Sequence, residues 1–425
     1  MSALPSDEFP TPDTCGCPQP GPSRRSVLGG AALVGATTMF GSAAVTVGAS
    51  RAAAATARGG GNTIVVLSLR GAADGLSLVV PHGDPVYYQS RPSIAVPAER
   101  LIAKDGFFGM HPAMAPLLPL WDAGRLAAIH ATGLPAPNRS HFSAMEQLED
   151  ADPGSTERIG WLNRLVGNDG SQGTLRAIAV GSSLPTAMAG PEPVMSFATL
   201  DSARIAGTSR RATAEAGRMR ALSAQWGRAR GPMGGAFREA LAAVVDLQPA
   251  VAQAANRAAY PQGDLGDALS SVARTLRADV GVAAVTVDSG SWDMHLGVGV
   301  PESGWMHNNA TELSTAIAAF FADLGPAADR VTLVTISEFG RRVQENASWG
   351  LDHGWGNVML VAGAGVRGGQ YYGRWPGLAT GLDADVPVTT DYRSVLAEIV
   401  ATRTSASTAA VFPGFQPEAV GFMAA

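Results

Sequence analysis

Several short segments of this 425-residue chain gather side chains able to hold a metal ion or polarise an ester. In Trp292-Asp293-Met294-His295, a carboxylate and an imidazole stand two residues apart in a loop, and a D-x-H pair of this kind can turn both groups toward one ion. Ser337-Glu338-Phe339-Gly340-Arg341-Arg342 supplies an acid and two guanidiniums, and Gly350-Leu351-Asp352-His353-Gly354-Trp355-Gly356 a second acid beside a second imidazole. Carboxylate oxygen combined with imidazole suits zinc, manganese or iron. Asn138-Arg139-Ser140-His141-Phe142 adds a hydroxyl, a guanidinium and a third imidazole, so that His141, His295 and His353, three of the seven histidines, each lie beside an acid or a candidate nucleophile.

Each group also has a plainer reading. Asp74, in Arg70-Gly71-Ala72-Ala73-Asp74-Gly75-Leu76, is either a ligand folded back over a strand end or a turn residue before glycine. Ser140 is either a nucleophile at a helix start that also favours an anion, with Arg139 holding negative charge, or an N-cap. Adjacent helical residues diverge by ~100°, so His141 is not placed to act as the base for Ser140, and a metal would have to lower the hydroxyl pKa instead. Arg341 and Arg342 either contact an anionic substrate or pair with Glu338 and Glu345 on a solvated face. His307 is an extra ligand or a structural residue at a helix start.

The elements that must position these groups follow from hydrophobic patterning. Short apolar runs bounded by breakers at 63–69, 126–131, 176–180, 282–287, 331–336 and 358–362 read as buried strands, and helical patterns cover 141–150, 160–166, 212–229, 237–258, 264–278, 308–324 and 392–401. The alternation predicts an α/β fold, a mostly parallel central sheet flanked by helices, with a helical insertion around 203–278. In such sheets ligands bind beyond the carboxyl ends of the strands, where the chemistry-bearing segments fall. No linker separates a second domain, so 57–425 reads as one domain.

Residues 1–56 read as a leader and tether. Ser23-Arg24-Arg25-Ser26-Val27-Leu28 precedes a weakly apolar stretch from Gly29 to Gly48 and small residues at Ala53–Ala55, the layout of a twin-arginine signal with an A-x-A type cleavage site. An N-terminal membrane anchor is the rival reading, weakened by the glycines. Export through the twin-arginine translocase to the periplasm, cell wall or exterior is expected, with no stable membrane span after cleavage. Both cysteines, Cys15 and Cys17, precede the arginine pair, so the mature part would hold no thiol and no disulfide. The net charge is −5 and no basic stripe with interleaved aromatics occurs, which excludes a nucleic-acid partner.

Taken together, Leu69-Arg70-Gly71-Ala72-Ala73-Asp74-Gly75-Leu76, Asn138 to Phe142, Trp292 to His295, Ser337 to Arg341 and Asp352 to Gly356 resemble the twin-arginine-exported family called domain of unknown function fifteen-oh-one. That family resembles the alkaline-phosphatase and sulfatase superfamily, which sets acids, histidines and a nucleophile at strand ends around one or two metals. The resemblance implies Ser140 as nucleophile, Arg139 and Arg341 as anion holders, and Asp74, Asp293, His295, Glu338, Asp352 and His353 as candidate ligands of a divalent metal, zinc or manganese. It leaves Asp352 either a ligand or a residue orienting His353. Glu338-Phe339 stands where the superfamily has an Asp-His pair, so one metal site is expected to be incomplete. A formylglycine sulfatase is disfavoured, because the mature part lacks cysteine and Ser140 is not followed by the proline and arginine that maturation requires.

The leading expectation is therefore a metal-dependent hydrolase of a small anionic phosphate or sulfate ester. A non-catalytic exported binding or assembly protein that retains the fold is the alternative. A metal-independent serine esterase ranks third, since no G-x-S-x-G surrounds Ser140.

Overall fold

A computed structural model describes residues 36–40, 43–47, 61–153, 155–170, 173, 175–181, 183–203, 212–230 and 232–424. The twin-arginine pair, both cysteines and the expected cleavage site lie outside the described residues. The strands are β1 (Ala36–Phe40), β2 (Ala43–Val47), β3 (Thr63–Leu69), β4 (Val79–Val80), β5 (Gly109–Met110), β6 (Leu126–Gly133), β7 (Ala177–Val180), β8 (Val194–Phe197), β9 (Ala284–Ser289), β10 (Val331–Ile336), β11 (Asn357–Gly363), β12 (Gln370–Tyr372) and β13 (Thr390–Asp391). Eleven of them form one sheet in the order β1-β2-β8-β7-β9-β3-β10-β11-β6-β12, with β13 also on β6, and β4 pairs with β5 separately.

β8, β7, β9, β3 and β10 run parallel as neighbours. β11 is antiparallel to both β10 and β6, so β6 again runs with β10. An antiparallel return needs no crossover helix, and the whole segment 337–356 between β10 and β11 is therefore free to lie over one sheet edge. That edge also carries the segments that follow β3, β6 and β9.

Every residue of β3 is buried, and its side chains alternate between two cores. Val65, Leu67 and Leu69 pack with Leu269, Leu276, Leu313, Ile317 and Phe320, from the helices Asp264–Arg277 and Trp305–Leu324. Ile64 and Val66 pack with Leu148, Trp161, Leu165, Val395 and Ile399, from the helices His141–Asp150, Trp161–Asn168 and Tyr392–Arg403. Burial on both faces explains why the strands read as continuous apolar runs, each large side chain contributing roughly 1.5–3 kcal/mol.

Among the described residues no strand interrupts the stretch between β8 and β9, which holds the helices Ala212–Trp226, Pro232–Asp246, Gln248–Ala252 and Asp264–Arg277. The last of these belongs to the sheet rather than to an insertion, because Leu265, Leu269, Val272 and Leu276 join the main core. β8 follows Pro191-Glu192-Pro193 and is four residues long, too brief to leave a pattern of its own. β1 and β2, within the apolar stretch expected to belong to a leader, pair with each other, and β2 also pairs with β8. No helix among the described residues is long and apolar enough to cross a membrane.

Candidate metal centre

Three histidines and one aspartate converge at the edge where β3, β6, β9 and β10 end. The loop after β9 alternates: Trp292 and Met294 are buried in the core while Asp293 and His295 face outward. The Trp292 indole donates to Ser289 Oγ at 3.2 Å, and the Leu351 N–H donates to Met294 O at 3.0 Å, which holds this segment extended against the loop before β11. Two glycines allow the close approach. A Cβ on Gly71, whose φ is +106°, would lie 2.7 Å from Asp293 N, and one on Gly350 would lie 1.9 Å from His295 O.

Asp293 Oδ1 is the hub. Around it stand His295 Nε2 at 3.1 Å, His141 Nε2 at 3.6 Å and His353 Nε2 at 3.6 Å. His353 Nε2 is 2.9 Å from the Nε2 of both His141 and His295. On the far side of each ring, Nδ1 meets an acceptor: Glu338 Oε1 at 2.8 Å for His141, the Arg139 carbonyl at 2.9 Å for His353, and Asp352 Oδ1 at 3.3 Å for His295. Glu338 Oε1 also accepts from Gly71 N–H at 2.8 Å, and Asp352 Oδ1 from Asn346 Nδ2 at 3.1 Å, so both are occupied as acceptors. An acceptor behind Nδ1 favours the tautomer that carries its proton there, which turns the Nε2 atoms toward Asp293 Oδ1 as ligand atoms. Arg341 already brings positive charge to Asp293 Oδ1 and, at 3.5 Å, to His295 Nε2, whereas the two 2.9 Å Nε2 pairs hold together only with a proton or a metal ion between them.

His141, Asp293 and His353 offer ligand atoms within 4.8 Å of one another and can hold a metal ion. The donor set fits a divalent ion: imidazole and carboxylate are ordinary ligands, and acceptors behind metal-bound histidines fix ring orientation and tautomer. Burial alone would raise the Asp293 pKa, but the Arg341 hydrogen bond and charge outweigh it and hold the carboxyl below its usual range. Burial lowers the His353 pKa against the opposing pull of the Arg139 carbonyl, which keeps that ring neutral and able to ligate.

Several expected residues take other positions. Asp74 does not join the cluster. It is fully buried, paired with Arg91 through contacts of 2.5 and 3.0 Å, and its Oδ2 caps the helical turn Gly75–Leu78 through Ser77 N–H at 3.0 Å. The turn reading holds, joined by an ion pair, and both carboxylate oxygens are taken. Glu338 contacts the back of His141 rather than the hub. Asp352 orients His295, not His353.

Arg341 reaches the hub, donating from Nη2 to Asp293 Oδ1 at 2.6 Å, but its side chain is buried. Its other contacts are the carbonyls of Ala72, Leu351, Gly71 and Trp292 and, at 3.5 Å, His295 Nε2, so it ties the turn after β3 to the two loops that carry Asp293, His295 and His353 and is not free to take substrate oxygens. Arg139 contributes its carbonyl to His353, while its exposed guanidinium pairs with Asp385. Ser140 occupies the N-cap position of the helix that begins at His141, yet its side chain makes no capping bond and is exposed. His307 is held apart, its Nδ1 2.8 Å from the Pro301 carbonyl.

His141 is not among the ligands expected from sequence, where its segment reads as supplying Ser140 as nucleophile. The signal lay in three histidines following three strand ends. Asn346, which fixes Asp352, left no recognisable motif. Beside the cluster lies an open groove of about 640 Å³ lined by Arg70, His141, Phe142, Met145, Glu149, Ser291 and Asp293, among others.

A search of curated proteins finds no match to the chain. The family model described as a protein of unknown function, DUF1501, matches residues 125–411, which include His141, Asp293, His295, Glu338, Arg341, Asp352 and His353. With that match spanning well over half of its length, the chain belongs to the DUF1501 family.

Proposed function

We propose that the protein is a metal-dependent hydrolase of a phosphate or sulfate ester, alkaline-phosphatase-like in its α/β fold and exported by the twin-arginine route. The observation that carries this reading is the convergence of three Nε2 atoms on Asp293 Oδ1, each ring held from behind by an acceptor. Zinc or manganese suits this nitrogen-rich donor set, and a bound ion would supply Lewis acidity to polarise the ester and assist ionisation of the attacking oxygen.

The chain's own residues supply the remainder. Ser140, exposed and adjoining His141 in sequence, provides the attacking Oγ. The bond from Ser140 Oγ to phosphorus or sulfur forms as the bond to the leaving oxygen breaks, and the hydroxyl proton ends on the leaving alcohol. Water then cleaves the serine ester, restoring the hydroxyl and releasing inorganic phosphate or sulfate. Arg139 can meet the transferred group by exchanging its pairing with Asp385. Glu338, Asp352 and the Arg139 carbonyl keep the three imidazoles in one tautomer throughout.

A non-catalytic binding role is the second reading. It is favoured by one fact: Arg341, expected to hold the substrate, spends its donors on the protein. Turnover of 4-nitrophenyl phosphate and 4-nitrophenyl sulfate by zinc- and manganese-loaded protein separates the two. Hydrolysis that disappears on chelation and returns with metal supports the hydrolase, and metal-loaded protein inert toward both ester classes supports binding alone.

A further inference from the structure

Among the described residues, the exposed large apolar side chains are Phe142, Val245, Leu296, Val300, Trp349 and Leu382. Exposed apolar residues scattered singly need no explanation, but Phe142, Leu296 and Trp349 lie on the three segments that carry the cluster. Phe142, 92% exposed, follows His141, and Leu296, 63% exposed, follows His295. Trp349, also 63% exposed, lies three residues before Asp352, and its carbonyl accepts from Val298 N–H in the His295 loop at 2.9 Å. Leu382 adjoins Asp383, which pairs with Arg342.

Trp349 is displayed by a built turn. Its φ is +54°, a left-handed conformation that is costly for a bulky residue, and its N–H donates to Asn346 O at 3.1 Å. Asn346 Oδ1 accepts from Ser348 N–H at 2.9 Å and Gly350 N–H at 3.0 Å, while its Nδ2 donates to Asp352 at 3.1 Å and to the His295 carbonyl at 2.9 Å. One side chain thus fixes both the support of His295 and the turn that raises an indole into solvent. Phe142 lines the same groove as His141 and Asp293.

We infer that the substrate is amphiphilic, with its anionic ester group at the Asp293 cluster and a long alkyl chain lying on Phe142, Leu296 and Trp349. The inference rests on the proposed hydrolase and names its substrate class. Phe142 shares the groove with His141 and Asp293, and Gly297 N–H to Ser348 O and Val298 N–H to Trp349 O join the segments of Leu296 and Trp349 beside His295, so a chain held there lies next to the reacting group. A separate protein partner would have no need of that adjacency.

The test compares dodecyl phosphonate, below the concentration at which it forms micelles, with methyl phosphonate, by calorimetry on zinc-loaded protein. Dodecyl and methyl phosphate are compared in parallel as substrates. A fully buried methylene is worth roughly fourfold in affinity, so contact with three or four of them gives a dodecyl preference on the order of a hundredfold. In the Phe142→Ser/Trp349→Ser variant that preference falls at least tenfold, and retained zinc content shows that the centre is intact. A preference near one in the wild type, or one unchanged in the variant, overturns the inference. If methyl phosphate is hydrolysed without any dodecyl preference, the hydrolase stands and the amphiphilic substrate falls. If the dodecyl preference appears in binding and neither phosphate is hydrolysed, the apolar site stands and the hydrolase falls.

Discussion

Glu338 Oε1 lies 2.8 Å from His141 Nδ1 and accepts a second bond from Gly71 N–H at the same distance, joining the segment after β10 to the helix after β6 and the turn after β3. A carboxylate behind an imidazole raises its basicity and fixes its tautomer, and losing such a partner typically weakens metal binding 10–100-fold. Glu338→Gln keeps the size of the side chain and removes its charge. Zinc titration of the folded variant is expected to show a dissociation constant raised roughly tenfold or more. An unchanged constant would mean that Glu338 only braces the loop.

Asp74 and Arg91 form a buried pair to which neither metal nor substrate contributes. Burial pushes the Asp74 carboxyl up, but the Arg91 charge and hydrogen bonds hold it below its ordinary value. A group whose folded pKa is depressed stabilises the protein above its unfolded pKa, about 3.9, and loses that contribution as pH falls through the folded value. Asp74→Asn leaves the Arg91 charge buried without its partner and is expected to lower stability in urea by roughly 3–5 kcal/mol at neutral pH. Metal content of the folded fraction should not change. Loss of metal with little loss of stability would return Asp74 to the ligand set.

His130 and His111 give the opposite dependence. Burial pushes both down to about 4, and the His130 ring stacks on Phe108 with centroids 4.4 Å apart. Below about pH 6.5 the unfolded chain takes up protons at these positions while the folded chain does not, so stability falls as pH drops from about 6.5 to about 4. Each site contributes on the order of 3 kcal/mol across that window. His130→Phe retains an aromatic ring beside Phe108 and Trp375 and removes one buried titrating group. Denaturation midpoints measured from pH 7 to 4.5 should therefore fall less steeply in the variant. Parallel profiles would show that His130 titrates normally.

Ser140→Ala tests the nucleophile. Turnover is expected to drop on the order of a thousandfold or more, with bound metal retained, because Ser140 is not among the residues able to hold the ion. A variant with wild-type turnover would assign the attack to water instead.

Much of the scaffold was legible because buried parallel strands read as apolar runs between breakers. β3 and β10 match their predicted ranges, and the other long strands differ by a few residues at their ends. The direction of β11 was not legible, since an apolar run carries no sign of its orientation. Only the antiparallel return explains how Glu338 and His353, fifteen residues apart, share one edge. Asp293 and His295, two apart in D-x-H, stand as neighbours at the hub because alternation in an extended loop sends both outward past buried Trp292 and Met294. Asp74 misled for a physical reason: its partner Arg91 lies seventeen residues on, in a segment with no periodic signal. Arg341 misled likewise, because nothing local announces that a guanidinium will be buried among four carbonyls.

The central claim is that three imidazoles and Asp293 hold one divalent ion. Elemental analysis of the folded wild type beside His141→Ala, Asp293→Ala and His353→Ala tests it most directly. The account predicts close to one equivalent of zinc or manganese in the wild type and loss of most of it in all three variants. Well-folded wild type that binds neither ion when dialysed against it, or a His141→Ala variant that keeps its full equivalent, would contradict it.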